Sequence, residues 1–177
     1  MPPPSERTRG CHMEKKMSSI IFNSPVEVGL RLLVLLKHTT KSLDMQRLIY
    51  YNYFLIHSSD VPESPRSLHP DLPGRACEIL VNRKIVKKGI YILLSKGLIN
   101  VKYTKQGIKY IASKDIEIVF KKFESEYARE LSERAKWVFS TFDTYSDKKL
   151  SDYMNKHLGK WGSEFSRNYT VLEQQNA

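Results

Sequence analysis

Apolar positions along this chain recur mostly at helical spacing, with one short interval of strict alternation. The first helix opens at Asn23-Ser24-Pro25-Val26-Glu27. Ser24 with Glu27 three residues later forms a capping box, and Pro25 suits the first helical position. Val26, Leu30, Leu33 and Leu36 or Lys37 follow at helical spacing, and Leu32 with Leu35 widens the apolar face. Such a helix is expected to be buried, with Gly29 admitting a second backbone at close range. A second helix is expected over residues 43–57, with Ser42 as its cap. Leu48, Ile49, Tyr51, Leu55 and Ile56 supply its core positions, and Tyr50, Tyr53 and Phe54 make it aromatic. The loop from Ser58 to Pro73 contains four prolines, which lower the entropy lost on ordering it. It reads as an ordered, docked loop.

The third helix is predicted over 75–96, with Gly97 as its stop. Three faces are distinguishable on it. Ile79, Val86, Ile90 and Leu93 form a core face; Lys84, Lys87, Lys88 and Tyr91 form a second; Val81, Ile85 and Ile92 form a third. One apolar stripe suffices for a surface helix, so the extra stripe points to a second contact. Alternation from Leu98 to Tyr103, a turn at Thr104 to Gly107 and a return over 108–112 predict a β-hairpin from which Lys102, Lys105 and Lys109 project. Helices are expected again over 115–123 and 126–142, capped by Ser113 or Ser125, and over 147–158.

Helix, helix, helix, hairpin is the order of a winged helix. The predicted fold class is therefore mainly α with a small β-hairpin, a winged-helix domain followed by C-terminal helices. The expected layout is a disordered extension over 1–17, the winged-helix domain over 18–112, a helical extension over 113–158 and a flexible tail over 159–177.

Charge sharpens this layout. The net charge of +10 is concentrated in residues 75–114, which hold ten Lys or Arg against one acid, Glu78. Clustered cations on one element mark an anionic partner, either nucleic acid or an acidic protein face, or else a merely solvated surface. Lys84, Lys87 and Lys88, with Lys102, Lys105 and Lys109 on the hairpin, could track a phosphate backbone, and Tyr91 suits either partner. Lysines supply charge with little base selectivity, so DNA binding through them would be salt-sensitive and largely independent of sequence.

Other function classes find little support. Gly29, Gly89, Gly97 and Gly107 are isolated rather than gathered into a phosphate loop, and neither G-x-S-x-G nor H-E-x-x-H occurs. No enzyme and no cofactor is expected. His57 with Asp60 and His69 with Asp71 could in principle form a metal site in the loop, but local spacing of that kind is a weak signal, and hydrogen bonding is their expected role. Cys11 and Cys77 define no disulfide framework or zinc site, and Cys77 reads as a small core residue. The longest apolar run, Leu30 to Leu36, contains Arg31 and falls short of the ~20 residues of a membrane span. Residues 1–17 lack the apolar core of a secretory signal. A cytoplasmic location is the expectation.

A family resemblance adds to these readings. Phe22-Asn23-Ser24-Pro25 followed by Glu27-Val28-Gly29-Leu30-Arg31 resembles the start of the middle component of bacterial ABC three-component systems. The likeness continues through Leu43-Asp44, Arg47-Leu48, His57, Asp60, Ser67-Leu68-His69-Pro70 and Leu72-Pro73. It runs on through Arg75, Glu78, Arg83, Val86, Gly89 and Gly97-Leu98, then Tyr127-Ala128, Leu131, Glu133-Arg134-Ala135 and Trp137. It covers roughly residues 18–142, and the chain resembles in particular the small subunit of Lamassu anti-phage systems. The resemblance implies a non-catalytic winged-helix adaptor beside an SMC-like ATPase and a nuclease effector, with double-stranded DNA met through the complex. In that setting Val81, Ile85 and Ile92, with Leu68, His69 and Pro70 of the loop, are candidate partner contacts. A free-standing winged-helix transcription regulator and a subunit that restrains a nuclease effector remain open alternatives.

Overall fold

The computed structural model describes residues 23–70 and 75–157, and the backbone alone over 75–82. The expected terminal segments 1–17 and 159–177, and the side chains of Cys77, Ile79 and Val81, lie outside the described residues. The chain is mainly helical with a small antiparallel sheet. Its elements are α1 (Pro25–Lys37), β1 (Leu43–Asp44), α2 (Met45–Ile56), α3 (Arg75–Ser95), β2 (Ile99–Thr104), β3 (Gly107–Ala112), α4 (Ile116–Phe120) and α5 (Glu126–Phe142). A further helix, α6, is seen over residues 147–157.

The Ser24 hydroxyl accepts the Glu27 N–H at 3.2 Å, so α1 starts where its capping signal places it. The Glu27 carboxylate turns to Arg31, 3.7 Å away, rather than completing a reciprocal box. Val28 and Leu32 to Leu36 are fully buried, whereas Val26 is exposed, a correction to the predicted apolar stripe. Gly29 does meet a second backbone, that of Gly89 on α3. Ser42 is not the cap of α2. Residues 43 and 44 form a strand instead, and Asp44 caps α2 by accepting the Arg47 N–H at 2.9 Å.

That two-residue strand converts the hairpin into a three-stranded sheet of order β1-β3-β2. Leu43 pairs with Tyr110 and Asp44 with Lys109, while β2 and β3 pair from Ile99↔Ala112 to Thr104↔Gly107. Gly97, at φ +67, stops α3 as predicted. The Leu98 N–H reaches back to the Leu93 carbonyl and the Gly97 N–H to that of Leu94, both at 3.0 Å, which satisfies the last carbonyls of α3 and aims the chain into β2.

Helix α2 is buried on every side from Leu48 onward. The C-terminal helices join its core: Leu131, Ala135, Val138 and Phe142 of α5 and Leu150 and Met154 of α6 belong to the cluster that contains α1 and α2. Two side chains of α2 close the α5–α6 turn. The Tyr51 hydroxyl donates to the Phe142 carbonyl at 3.2 Å, and Arg47 donates to the Tyr145 carbonyl at 2.7 Å and to Asp147 at 2.6 Å. The Phe142 carbonyl also accepts the Tyr145 N–H at 3.0 Å, so the turn is held by main-chain and side-chain donors together.

His38, at the end of α1, lies 2.7 Å from the Ser132 hydroxyl of α5. Burial pushes its imidazole below the ordinary 6.5, and Lys136 and Lys37 add to the shift. A histidine held low in the folded state binds fewer protons there than in the unfolded chain, so its contribution is complete above pH 6.5 and is lost as pH falls. The urea midpoint should therefore drop between pH 8 and pH 5.5, and the drop should shrink in His38→Gln. An unchanged drop in the variant would assign the effect to other groups.

Candidate functional site

The orientation of α3 follows from its glycine. A Cβ built on Gly89 would lie 3.0 Å from the Gly29 nitrogen and 3.1 Å from the Pro25 carbonyl oxygen, so this face of α3 lies directly against the α1 backbone. Val86, Ile90 and Leu93 enter the core on adjoining positions. The remaining face turns outward: Lys84, Lys87, Lys88 and Tyr91 are all exposed, as the helical wheel predicts. The Lys87 ammonium stands 5.8 Å from the centre of the Tyr91 ring, within range of a cation–π contact.

The strand register divides the hairpin into two faces, because successive side chains point to opposite sides. The pairs Ile99–Ala112, Val101–Tyr110 and Tyr103–Ile108 share one face. Ile99 is buried there, while Tyr103 at the far end is 83% exposed and Ile108 50%. The hairpin therefore runs out of the core, and its outer apolar half is uncovered among the described residues. Tyr110 carries the link to α3. Partial burial raises its phenol above the ordinary range, and the neighbouring Tyr91 and Tyr103 phenols raise it further. Tyr103 and Tyr110 thus share the face of the hairpin that Ile99 turns into the core, the same core that α3 enters through Val86, Ile90 and Leu93.

Lys102 and Lys109 are on the other face, directly opposite one another in the register. The single basic face read from the sequence is therefore split. Lys84, Lys87 and Lys88 lie on α3 with Tyr91; Lys102 and Lys109 lie across the sheet from Tyr103 and Tyr110, and Lys105 sits in the turn at the tip. From Arg83 to Lys114 the chain holds nine basic residues and no acid. Like charges in direct cross-strand register destabilise a sheet. Asp44 of β1 is the other cross-strand neighbour of Lys109, which leaves Lys102 without an acid beside it in the register. Tyr103, Ile108 and Tyr110 were not among the predicted site residues, although the period-two alternation alone aligns them with Val101.

The other candidates are placed differently. Ile85 packs partly against the core and Ile92 is half-buried, so much of the third stripe of α3 is covered by this chain itself. Leu68 packs against the same core, and the Leu68 and His69 N–H groups both donate to the Ile56 carbonyl at 3.1 Å. The His69 ring lies 3.1 Å from the Tyr127 hydroxyl, and Pro70 is exposed. Ser59 and Ser67 exchange hydroxyl bonds to each other's N–H, and Arg134 donates to the Arg66 carbonyl at 2.6 Å. Over residues 58–70 the loop is thus docked as expected, while Asp71 to Pro73 lie outside the described residues; Leu68 and His69 are engaged within the chain. Among the described residues no three His, Cys, Asp or Glu side chains gather as metal ligands, and the Tyr53 hydroxyl bonds to Asp60. No helix among them is long and apolar enough to cross a membrane.

No curated protein and no solved structure matches the chain. A family model does: that of the ABC-three component (ABC-3C) system Middle Component 2 matches residues 21–164. The match spans the basic helix, the hairpin and both C-terminal helices. It makes this chain one component of a multi-component system, with protein partners. On that extent of match, the chain belongs to the ABC-three component system Middle Component 2 family.

Proposed function

We propose that this chain is a non-catalytic adaptor of winged-helix type in a Lamassu-like anti-phage defence complex. It joins an SMC-like ATPase to a nuclease effector and helps hold double-stranded DNA. The element order supports the winged-helix reading: helix, short strand, two helices and a hairpin, with the first strand paired to the second hairpin strand. In such a domain α3 is the helix offered to the DNA groove and the hairpin is the wing. One observation carries the proposal above the rest. A family member whose name implies partner components presents an exposed Lys84, Lys87, Lys88 and Tyr91 face and an uncovered Tyr103.

Two measurements test this function. Co-expression with its neighbouring genes, followed by size exclusion with light scattering, should give co-elution with the ATPase. A lone monomer or dimer would favour a free-standing regulator instead. The double variant Lys84→Glu/Lys88→Glu should weaken binding of a DNA duplex at least ~tenfold and flatten the salt dependence, since each lost phosphate contact removes about 0.9 from the log–log slope. Unchanged affinity in fluorescence anisotropy would remove α3 from any DNA contact.

A further inference from the structure

Strand β2 is an outer strand of the sheet, and among the described residues nothing pairs with its free side. The hydrogen-bond phase of the β2–β3 ladder is set at its base, where the Ser113 N–H donates to the Leu98 carbonyl at 2.9 Å. In an antiparallel ladder, bonded and non-bonded pairs alternate. Pairs Asn100–Ile111, Lys102–Lys109 and Thr104–Gly107 are therefore the bonded ones, and the backbone N–H and C=O groups of Val101 and Tyr103 point to the free edge. Val101 is half-buried and Tyr103 is exposed.

The charges along the sheet indicate what fits this edge. One row crosses the outer face in the order Asp44, Lys109, Lys102. Lys109 has an acid on its β1 side, while Lys102 has a lysine on one side and the free edge on the other. A strand bonded to Val101 and Tyr103 would place one residue in a close, non-bonded pair with Lys102, its Cα about 4.5 Å away. An acid at that position would complete the row, and its two neighbours would face Val101 and Tyr103 on the apolar side.

We propose that the β2 edge receives an extended segment of a partner protein, an acidic residue flanked by apolar ones, as a fourth strand of the sheet. Strand addition of this kind takes affinity from the main chain and selectivity from alternate side chains. A second copy of this chain is a poor occupant, because the symmetric register that pairs Val101 with Tyr103 sets Lys102 against its own copy. Edge lysines commonly block such self-pairing. DNA offers no strand to bond, and its expected contacts are on the α3 side.

The test is amide hydrogen exchange by NMR on the full chain, with a synthetic peptide of alternating valine and glutamate as the probe. Exchange at Val101 and Tyr103 should slow at least ~tenfold on adding the peptide, while the Asn100 and Lys102 amides, already in the ladder, change little. A valine–lysine peptide should have no effect on the native chain and should protect the same two amides in Lys102→Glu. Val101→Pro removes only an outward N–H, so it should abolish the protection and leave the ladder amides slow. Unchanged exchange at Val101 and Tyr103 with saturating valine–glutamate peptide overturns the proposal, as does protection confined to Lys84 to Tyr91. These outcomes are independent of co-elution with the ATPase, so the edge and the adaptor function stand or fall separately.

Discussion

Phe142→Ala is expected to lower the stability of the whole chain by about 3–5 kcal/mol, the usual range for removing a fully buried aromatic ring. Phe142 is 1% exposed at the end of α5. Its ring stacks on Phe54 of α2 at 4.3 Å, with Tyr145 at 5.4 Å and Tyr153 at 5.6 Å set edge-on. One side chain thus joins the central helix to the turn and to α6. Its loss leaves a cavity between three elements that are held independently by the Tyr51 and Arg47 hydrogen bonds, so collapse around it is restricted. Urea unfolding followed by far-UV circular dichroism and by Trp137 fluorescence, in a Trp161→Phe background, provides the check, since Trp137 lies 6.2 Å from the Phe142 ring. Coincident transitions at a much lower midpoint are the expected result. A loss under 1 kcal/mol, or fluorescence change well ahead of the loss of helix, would mean that α5 and α6 form a separate unit.

The second large effect is expected at the crossing of α1 and α3, and it is asymmetric. Gly89→Ala places a methyl group 3.0–3.2 Å from three backbone atoms of α1, none of which can rotate away. The helices must separate, and overpacking of this kind costs about 1–3 kcal/mol, against roughly 1 kcal/mol of helix propensity gained over glycine. Gly89→Val loses most of that gain and adds bulk, so it should be destabilising throughout. Gly29→Ala, by contrast, comes no nearer than 3.4 Å to Gly89, an ordinary contact, and should be neutral or mildly stabilising. Thermal melts of the three variants decide the matter. Equal effects at Gly29 and Gly89 would contradict this asymmetric packing of α1 against α3. Because Gly89 is placed opposite the lysine face, its substitution should also tilt that face, and on the proposed DNA-holding role the DNA affinity of Gly89→Ala should fall more than that of an equally destabilised core variant.

Much of the local architecture was legible in the residues, for identifiable reasons. Capping is a short-range matter, so Ser24 and Ser125 marked the starts of α1 and α5, and the Ser125 hydroxyl indeed accepts the Ala128 N–H at 3.2 Å. Gly97 marked the end of α3 because the left-handed backbone there suits glycine. The hairpin was legible from alternation and its turn. The second helix was placed two residues early, since Leu43 and Asp44 carry no strand signal that two residues could express. Only pairing with β3 makes them a strand. The predicted helix over 115–123 shortens to α4 for a similar reason, its final turn giving way to looser turns before Ser125.

The candidate site divides along the same line. By itself the sequence determined that cations crowd between Arg83 and Lys114, that Lys84, Lys87, Lys88 and Tyr91 share a helix face, and that a docked loop follows α2. These depend on composition and on the fixed period of a helix. Only the tertiary structure decided which cations act together. The pleat puts Lys102 and Lys109 across the sheet from the tyrosines, the Gly89 contact turns the α3 lysines outward, and β1 occupies one edge of β3 while β2 keeps a free one. Each of these depends on contacts between residues distant in sequence, and local spacing holds no information about them.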